Sequence, residues 1–502
     1  MTASGAGASV ATHAGVACAF CRRRKRSCDK RLPQCSACAS RNLECEYSRI
    51  FAPNDYGPQQ ANTSREWTST QPLLTASDSN PTFPAVYFLD NRVFQHSRMQ
   101  LPRTNWTVPP IIADYVGDPL PLALQYWNKV HSWMPIISKK RFYDHSLNPL
   151  ISRDVDVVLL LSAMRLLLWH PAQEPCPETE YMAIRHAIIE AENLGVFTLQ
   201  LLQAKILLTI YELGHALYPA AYLSVGSCAR FGIAVGVNQC LQATNLSTSP
   251  EAALETEEKK RTWWAVLMLD RTMQLGNPTQ MLATEEPASS SYLPADDESF
   301  ESGNITREPF RASSPASIEM GMLARMSQAT FILGRVLRFQ ARSSEFEDEA
   351  FRESERLQLD KTLRALLNLV YIEGSVKRIA VCAQSSICYS ALIALHDPEA
   401  RRTDLEQFDM KLVLLGPVVK EMTWASGIWF SERLVNISDA SPFLLFWAYQ
   451  AITIYRRLEA RYGNETQQHM LLMKEKLRLM SLRWKAGEAY LQILNAREIT
   501  MM

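Results

Sequence analysis

Residues 18–45 read CAFCRRRKRSCDKRLPQCSACASRNLEC and hold six of the chain's eleven cysteines, at positions 18, 21, 28, 35, 38 and 45. The spacing is C-x2-C-x6-C-x6-C-x2-C-x6-C, a unit followed by its own repeat. A C-x2-C pair is the usual way for one turn of chain to supply two soft ligands to a tetrahedral zinc. Six thiolates cannot fill two separate four-ligand sites, so two metals here require two bridging sulfurs. One ordinary four-cysteine zinc with two spare thiols is the alternative, and it leaves the internal symmetry unexplained. Cys28 follows Cys21, and Cys45 follows Cys38, by seven positions. Seven steps of about 100° return a helix nearly to its starting face, so each pair is expected to ligate from one side of a short helix. Between the first pair lie five consecutive cations, Arg22, Arg23, Arg24, Lys25 and Arg26. A basic helix anchored by metal suits contact with phosphate and with the N7 and O6 acceptors of guanine in a major groove.

The rest of the chain decides between metal and disulfide. Its start, MTASGAGASVATHAGVA, lacks a basic stretch followed by an apolar core of signal-peptide length, so secretion is not expected. The longest apolar runs, Val157 to Leu168 and Phe443 to Tyr455, are broken by Arg165 and Gln450. Neither reaches the roughly 18 residues of a spanning helix. In a reducing compartment, clustered cysteines serve metal binding or catalysis rather than a disulfide framework. The other five, Cys176, Cys228, Cys240, Cys382 and Cys388, are scattered.

Composition sets the outer bounds. The 502 residues are 47% hydrophobic and 21% charged, with a mean hydropathy of −0.13. Those values exclude a wholly disordered, collagenous or integral membrane chain. Length alone suggests about three domains. Lys plus Arg and Asp plus Glu both number 52, so the formal charge is zero. That neutrality is a cancellation: residues 1–50 carry a formal +6 and the remainder −6. Loading two Zn²⁺ onto six thiolates leaves the first segment near +4 (about two units lower) and still basic.

The six-cysteine segment resembles the DNA-binding module of the fungal binuclear zinc cluster transcription factors, whose pattern is a basic first helix, a proline loop and a mirrored second half. The resemblance implies two zincs sharing Cys18 and Cys35, with Cys21 and Cys28 completing one and Cys38 and Cys45 the other. It places Lys25 at the family's base-reading lysine, Pro33 at its loop proline and Tyr47 at the aromatic after the sixth cysteine. Similar proteins read CGG triplets with the first helix. On this reading Lys25 and Arg24 meet bases, while Arg22, Arg23, Arg26 and Arg41 hold phosphates. Ser27 stands where the family is usually basic, and Asn42 where it often has glycine.

Beyond the module, residues 49–84 are rich in Pro, Ser, Thr, Asn and Gln and read as a flexible linker. Residues 1–14 are expected to be disordered. The expected organisation is mostly α: a binuclear zinc cluster at 15–48, the linker, and a large all-α regulatory domain over 85–502. No sustained heptad follows the module, so no zipper is predicted. Binding as a monomer or through the larger domain stays open.

Helical periodicity dominates the larger part. A helix opened by Pro121 aligns Leu122, Tyr126, Val130 and Trp133 and is expected to end near Pro135. Leu199 to Leu213 aligns Leu202, Ile206 and Ile210. Ala220 to Val237 aligns Val225, Ala229, Gly232 and Gly236, small residues that let a neighbouring helix approach. In EAALETEEKKRTWWAVLMLDRTMQLGNP, Glu255, Glu257 and Glu258 favour the N-terminal end, and Trp263, Val266, Leu267 and Met273 form the buried stripe. Gly276 and Pro278 stop it. Lys260-Arg261-x-Trp263-Trp264, Asp270-Arg271 and Gly276-x-Pro278 also resemble the signature of the middle homology region of the same fungal regulators, and YWNKVHSWMPII and YELGHALYPAAYLSVGSCARFGIAVGV resemble its flanks. Residues 285–315 are polar and proline-bearing, which predicts an exposed excursion. Residues 345–351, EFEDEAF, mix acid and phenylalanine, and a solvated helix end is the preferred reading. The C-terminal MSLRWKAGEAYLQILNAREITMM reads as one further amphipathic helix.

No GxxxxGK[ST], HExxH, GxSxG or GxGxxG is present, and the nine histidines show no ligand spacing. No catalytic residue is assigned and no enzyme is expected. The function expected is a nuclear, sequence-specific regulator of RNA polymerase II genes, pathway-specific in the manner of a secondary-metabolite cluster. Its expected partner is double-stranded DNA, with a homodimer or transcription co-regulators left open and no membrane. The rival readings are a thiol-rich metal buffer or redox sensor, and a helical enzyme tethered to chromatin by the module.

Overall fold

The computed structural model describes residues 17–18, 20–21, 24, 26–41, 43, 45, 84–97, 99, 101, 106–147, 154–243, 249–276, 281–305, 307–342, 348–377, 381–397, 405–431 and 440–500. Two units divide the chain, Met1–Asp78 and Ser79–Met502. The disordered start expected at 1–14 and, but for Pro84, the linker expected at 49–84 lie outside the described residues.

In the larger unit, helix starts follow proline and short polar side chains. Pro110–Val116 (α1) and Pro119–Lys129 (α2) both begin on proline, whose fixed φ suits the first turn. Asp118 caps α2, its carboxylate accepting the Leu120 N–H at 3.1 Å. The helix therefore begins before Pro121 and ends before the WMP segment, although Leu122, Tyr126, Val130 and Trp133 are all buried as expected. Val155–Leu168 (α3), Glu178–Asn193 (α4) and Leu199–Gly214 (α5) follow, the last capped by Thr198. Ala220–Ala234 (α6) stops short of Val237, because Gly236 takes φ +76° and turns the chain. Gly236 is thus a terminator and not part of the packing stripe.

Pro250–Gln274 (α7) is capped by Ser249 and packs against α5, α6 and the next long helix, Met322–Ala341 (α8). After it come Glu349–Lys377 (α9), Val381–His396 (α10), Leu405–Ser431 (α11), Phe443–Tyr462 (α12), Asn464–Ser481 (α13) and Ala486–Thr500 (α14). Of the C-terminal segment from Met480, the first two residues end α13, a turn buries Trp484, and Ala486–Thr500 is the one further helix. α3 packs with α5, flanked by α1, α2, α4 and α6. α8 packs with α10, around which lie α9, α11 and α12. One apolar core runs through both groups, from Ile112 to Leu494. Among the described residues there is no strand, only bridge positions such as Tyr292 opposite Arg311.

α7 departs most from its expected stripe. Lys260, Arg261, Asp270 and Arg271 are as buried as Trp263, Trp264, Val266 and Leu267, while Met273 is only half-buried. Glu257 and Glu258 lie too far into the helix to serve its N-terminal end. They partner buried donors instead: Glu257 Oε1 accepts Arg261 Nε at 3.0 Å and the Ala295 N–H at 2.7 Å. Glu258 accepts the Ser138 N–H and Arg141 Nε, both at 2.9 Å.

The exposed excursion expected at 285–315 holds only in part: Ala288 to Ser290, Arg307 and Glu308 are exposed, but the same network buries Ser291 to Ala295. Arg261 Nη2 donates to the Ala295 carbonyl at 2.8 Å, and Trp264 Nε1 to the Tyr292 carbonyl at 3.0 Å. Asp270 accepts the N–H groups of Ala283 and Thr284 at 3.0 and 2.9 Å. Buried charges on the helix satisfy the backbone of the segment, which is why that segment needs so few apolar residues. Of EFEDEAF, 345–347 lie outside the described residues, and Phe351 on α9 is exposed.

Candidate metal centre and nucleic-acid interface

In the smaller unit the chain folds around sulfur. Cys18, Cys21, Cys35 and Cys38 are fully or almost fully buried, with Cys28 and Cys45 half-buried beside them. The Sγ atoms fall into two groups of four, Cys18, Cys21, Cys28 and Cys35, and Cys18, Cys35, Cys38 and Cys45. Within each group they lie inside 4.8 Å of one another. Cys18 and Cys35 belong to both. Separations of 3.9 Å for Cys18–Cys35, 3.7 Å for Cys18–Cys38 and 3.8 Å for Cys21–Cys35 sit close to the edge of about 3.8 Å that four sulfurs at about 2.3 Å from a zinc would define. The donor set and its geometry therefore fit Zn²⁺.

Backbone groups repeat across the two halves with an offset of 17 positions. The Arg26 N–H donates to the Cys21 carbonyl at 3.0 Å, and the Leu43 N–H to the Cys38 carbonyl at 3.2 Å. The Cys21 and Cys35 N–H groups donate to sulfur, at 3.4 Å to Cys18 and 3.3 Å to Cys45. Helix is scarcer than the seven-position spacing predicts. Ser36–Ala39 is one turn, and Arg26 to Cys28, like Leu43 and Cys45, is irregular. The second half is held against the first by Asp29, whose carboxylate accepts the Ser36 N–H at 2.9 Å and its hydroxyl at 2.5 Å, and by Gln34 Nε2 donating to the Leu43 carbonyl at 2.5 Å. The sequence reading missed both residues. Their position flanking Cys28 and Cys35 was the available signal.

Burial and the neighbouring sulfurs push the Cys21 thiol up to about 12, and burial raises Cys35 and Cys38 as well. Burial works against Cys28 too, but the backbone at Cys18 and Lys30 outweighs it and holds that thiol down near about 7. Sulfurs so crowded keep their negative charge only with a cation among them.

All six expected ligands are thus brought together. Arg24, Arg26 and Arg41 are exposed, with the Arg24 guanidinium 5.4 Å from the centre of the Phe20 ring. Arg22, Arg23 and Lys25 lie outside the described residues. In the larger unit no described helix is long and apolar enough to cross a membrane.

Comparison with known proteins gives these features a context. Residues 16–53 match the family described as Fungal Zn(2)-Cys(6) binuclear cluster domain, and residues 123–369 match the Fungal specific transcription factor domain. The chain is 32% identical over 177 residues to Transcription factor BOA15 of Botryotinia fuckeliana (strain B05.10), covering 35% of this chain and 98% of that protein. To the Pigment biosynthesis transcriptional activator pigB of Monascus ruber it is 23% identical over 555 aligned positions, 96% of this chain and 94% of the relative. To the Citrinin biosynthesis transcriptional activator mrl3 of Monascus ruber it is 25% identical over 342 positions, 58% and 65% of the two chains. No solved structure matches the chain.

Proposed function

We propose, for a chain that belongs to the fungal Zn(2)-Cys(6) binuclear cluster family of transcription factors, that it is a nuclear activator of a secondary-metabolite gene cluster, transcribed by RNA polymerase II, and that it reads CGG-like triplets. Members of this family bind zinc and DNA and are regulators, not enzymes. The relatives named for pigment and citrinin biosynthesis support the pathway assignment.

The observation that carries the mechanism is the pair of thiol groups with Cys18 and Cys35 in common. Two zincs sharing those sulfurs satisfy eight coordination positions with six ligands. Zinc would supply the charge that keeps the thiolates together and the rigidity that presents the basic segment. Lys25 and Arg24 then donate to guanine N7 and O6 in the major groove. Arg22, Arg23, Arg26 and Arg41 hold the phosphates, fixing register without reading sequence. The Phe20 ring supports the Arg24 guanidinium from one side, which leaves its donor edge for the groove. A homodimer or a co-regulator bound through the helical unit would set how half-sites are paired.

The test uses the full chain: zinc per chain by native mass spectrometry, then selection of bound sequences from random DNA. Two zincs and an enriched CGG-like triplet are expected. One zinc would sink the shared sulfurs, and variable metal content without enrichment would favour the metal buffer or redox sensor. Lys25→Ala should cost about 1–3 kcal/mol on the selected sequence and relax its preference, whereas Arg26→Ala should weaken all sequences alike. Equal losses on selected and scrambled DNA for both variants would contradict these roles.

A further inference from the structure

Ser27 stands directly after the cations Arg22, Arg23, Arg24, Lys25 and Arg26 and directly before Cys28. It is exposed, and the chain from Arg26 to Cys28 is irregular. Two other serines of the module are described, and both hydroxyls are engaged, Ser36 with Asp29 and Ser40 with the Ala37 carbonyl at 3.5 Å. The Ser27 hydroxyl has no hydrogen-bond partner among the described residues.

The nearest acid, Asp29, already has its carboxylate occupied by the Ser36 N–H and hydroxyl. Arg24 and Arg26 are exposed, and neither guanidinium meets a carboxylate among the described residues. Charge pattern around the acceptor is how kinases choose their substrates. An unengaged hydroxyl on exposed, irregular chain, with cations at each of the positions just upstream, suits a serine kinase whose substrate groove is acidic.

We infer that Ser27 is a phosphorylation site that switches off DNA binding, with ATP as phosphoryl donor and a serine kinase selective for basic upstream residues as the enzyme. Ser27 Oγ attacks the γ-phosphorus of ATP. The Oγ–P bond forms as the bond from that phosphorus to the β,γ-bridging oxygen breaks, ADP leaves, and the hydroxyl proton passes to the base of the kinase. The ester carries about −1.5 to −2 charges and three strong acceptor oxygens. Residues 1–50, near +4 when zinc-loaded, would fall to about +2. Arg26 or Arg24, once paired with the ester, no longer holds a DNA phosphate, and the ester meets the duplex with like charge. Ser27 belongs to neither thiol group, so zinc should stay. The inference rests on the DNA reading proposed above.

The zinc-loaded full chain is treated with ATP and the catalytic subunit of cyclic-AMP-dependent protein kinase, or with ATP alone. Peptide mass spectrometry maps the phosphate, native mass spectrometry counts zinc, and affinity for the selected DNA is measured over a salt series. Phosphate at Ser27, both zincs retained and affinity weakened about tenfold or more are expected, with the slope of log affinity against log salt shallower by about 1–2. Ser27→Ala receives any phosphate placed elsewhere but should keep its affinity after treatment. No phosphate at Ser27, equal affinity with and without it, or the same loss in Ser27→Ala overturns the switch. Release of zinc on phosphorylation overturns the charge mechanism. An unmodified chain that selects no DNA would strike the DNA reading instead, and the mapped phosphate would then decide the acceptor alone.

Discussion

Among the described residues of the zinc module the buried side chains are sulfurs, with Phe20, Ala37 and Leu43 as apolar company. In the helical unit they are the aliphatic and aromatic side chains of a continuous core. A segment of about 40 residues or fewer rarely buries enough apolar surface to fold alone, so the folding free energy of the module is its metal-binding free energy, about 10–16 kcal/mol per structural zinc in comparable peptides. Among the described residues of the helical unit no group of side chains that could hold a metal is gathered. Cys35→Ser should therefore produce the largest effect of any single change. It removes a ligand common to both thiol groups, so both zincs and specific DNA binding should be lost while the helical signal and thermal transition of the larger unit persist. Cys28→Ser touches one group only and should leave one zinc. If native mass spectrometry finds the same zinc content in both variants, the sharing of Cys35 is wrong.

The larger unit has its own exception to apolar burial, the charged side chains of α7. Glu257, Lys260 and Arg261 are fully buried, with Glu257 Oε2 3.4 Å from Lys260 Nζ and Oε1 3.0 Å from Arg261 Nε. Removing one partner of a buried ionic cluster leaves uncompensated charge, at a cost of about 3–5 kcal/mol. Glu257→Gln should lower the unfolding free energy of the helical unit, read from denaturant unfolding, by that amount and leave zinc content unchanged. A loss under about 1 kcal/mol would mean that Asp297, 3.0 Å from Arg261 Nη1, suffices as counter-charge.

The two regions also differed in what their sequences disclosed. The ligand set was legible because metal coordination depends on residue type and spacing, and both lie within 28 consecutive positions. The helix within the module was not, since a seven-position return is met equally by irregular chain when sulfur, not backbone periodicity, fixes the distance. In the larger unit, Leu202, Ile206 and Ile210 announced their face because apolar residues recur with the helical period. Lys260 and Arg261 did not, because charged side chains carry no apolar signal, and Arg261 is held in part by groups about one loop away, at Ala295 and Asp297. For the same reason the polar stretch from 285 read as exposed: its backbone is satisfied by distant buried charges that no local pattern reveals.

Close packing offers a smaller test that the module has no counterpart for. A Cβ at Gly232 would lie 2.6 Å from Trp263 Cζ3. Of the two glycines in the expected small-residue stripe, Gly232 is the one where close approach is tight, and Trp263 is held in the core by α7. Gly232→Ala should cost about 1–3 kcal/mol through overpacking. Trp263→Phe in the same chain removes the clashing ring and should recover part of the loss. Additive losses in the double variant would show that the contact is not the cause.

Acid should weaken both regions, but for different reasons, and His215 separates them. Its ring lies among Trp169, Tyr211 and Trp484, with centroids 4.9, 4.6 and 5.4 Å away, and neither ring nitrogen has a hydrogen-bond partner. Burial, then Arg483 and Lys485, push its pKa down to about 2. The folded unit keeps this imidazole neutral, while the unfolded chain protonates it below about 6.5. The unfolded state then binds more protons, so stability is full above about pH 6.5 and falls as pH drops toward the folded value. From pH 7 to pH 6 the loss from this group alone is about 0.7 kcal/mol. His215→Phe keeps an aromatic ring, removes two unsatisfied nitrogens and takes this contribution out of the pH dependence. Denaturant unfolding of the helical unit at the two pH values should show a smaller difference for the variant by about that amount, with stability at pH 7 unchanged or raised. Zinc release from the module over the same range should be identical in the two proteins, because protonation there competes with metal at sulfur. An undiminished pH difference in His215→Phe would place the acid sensitivity of the helical unit elsewhere.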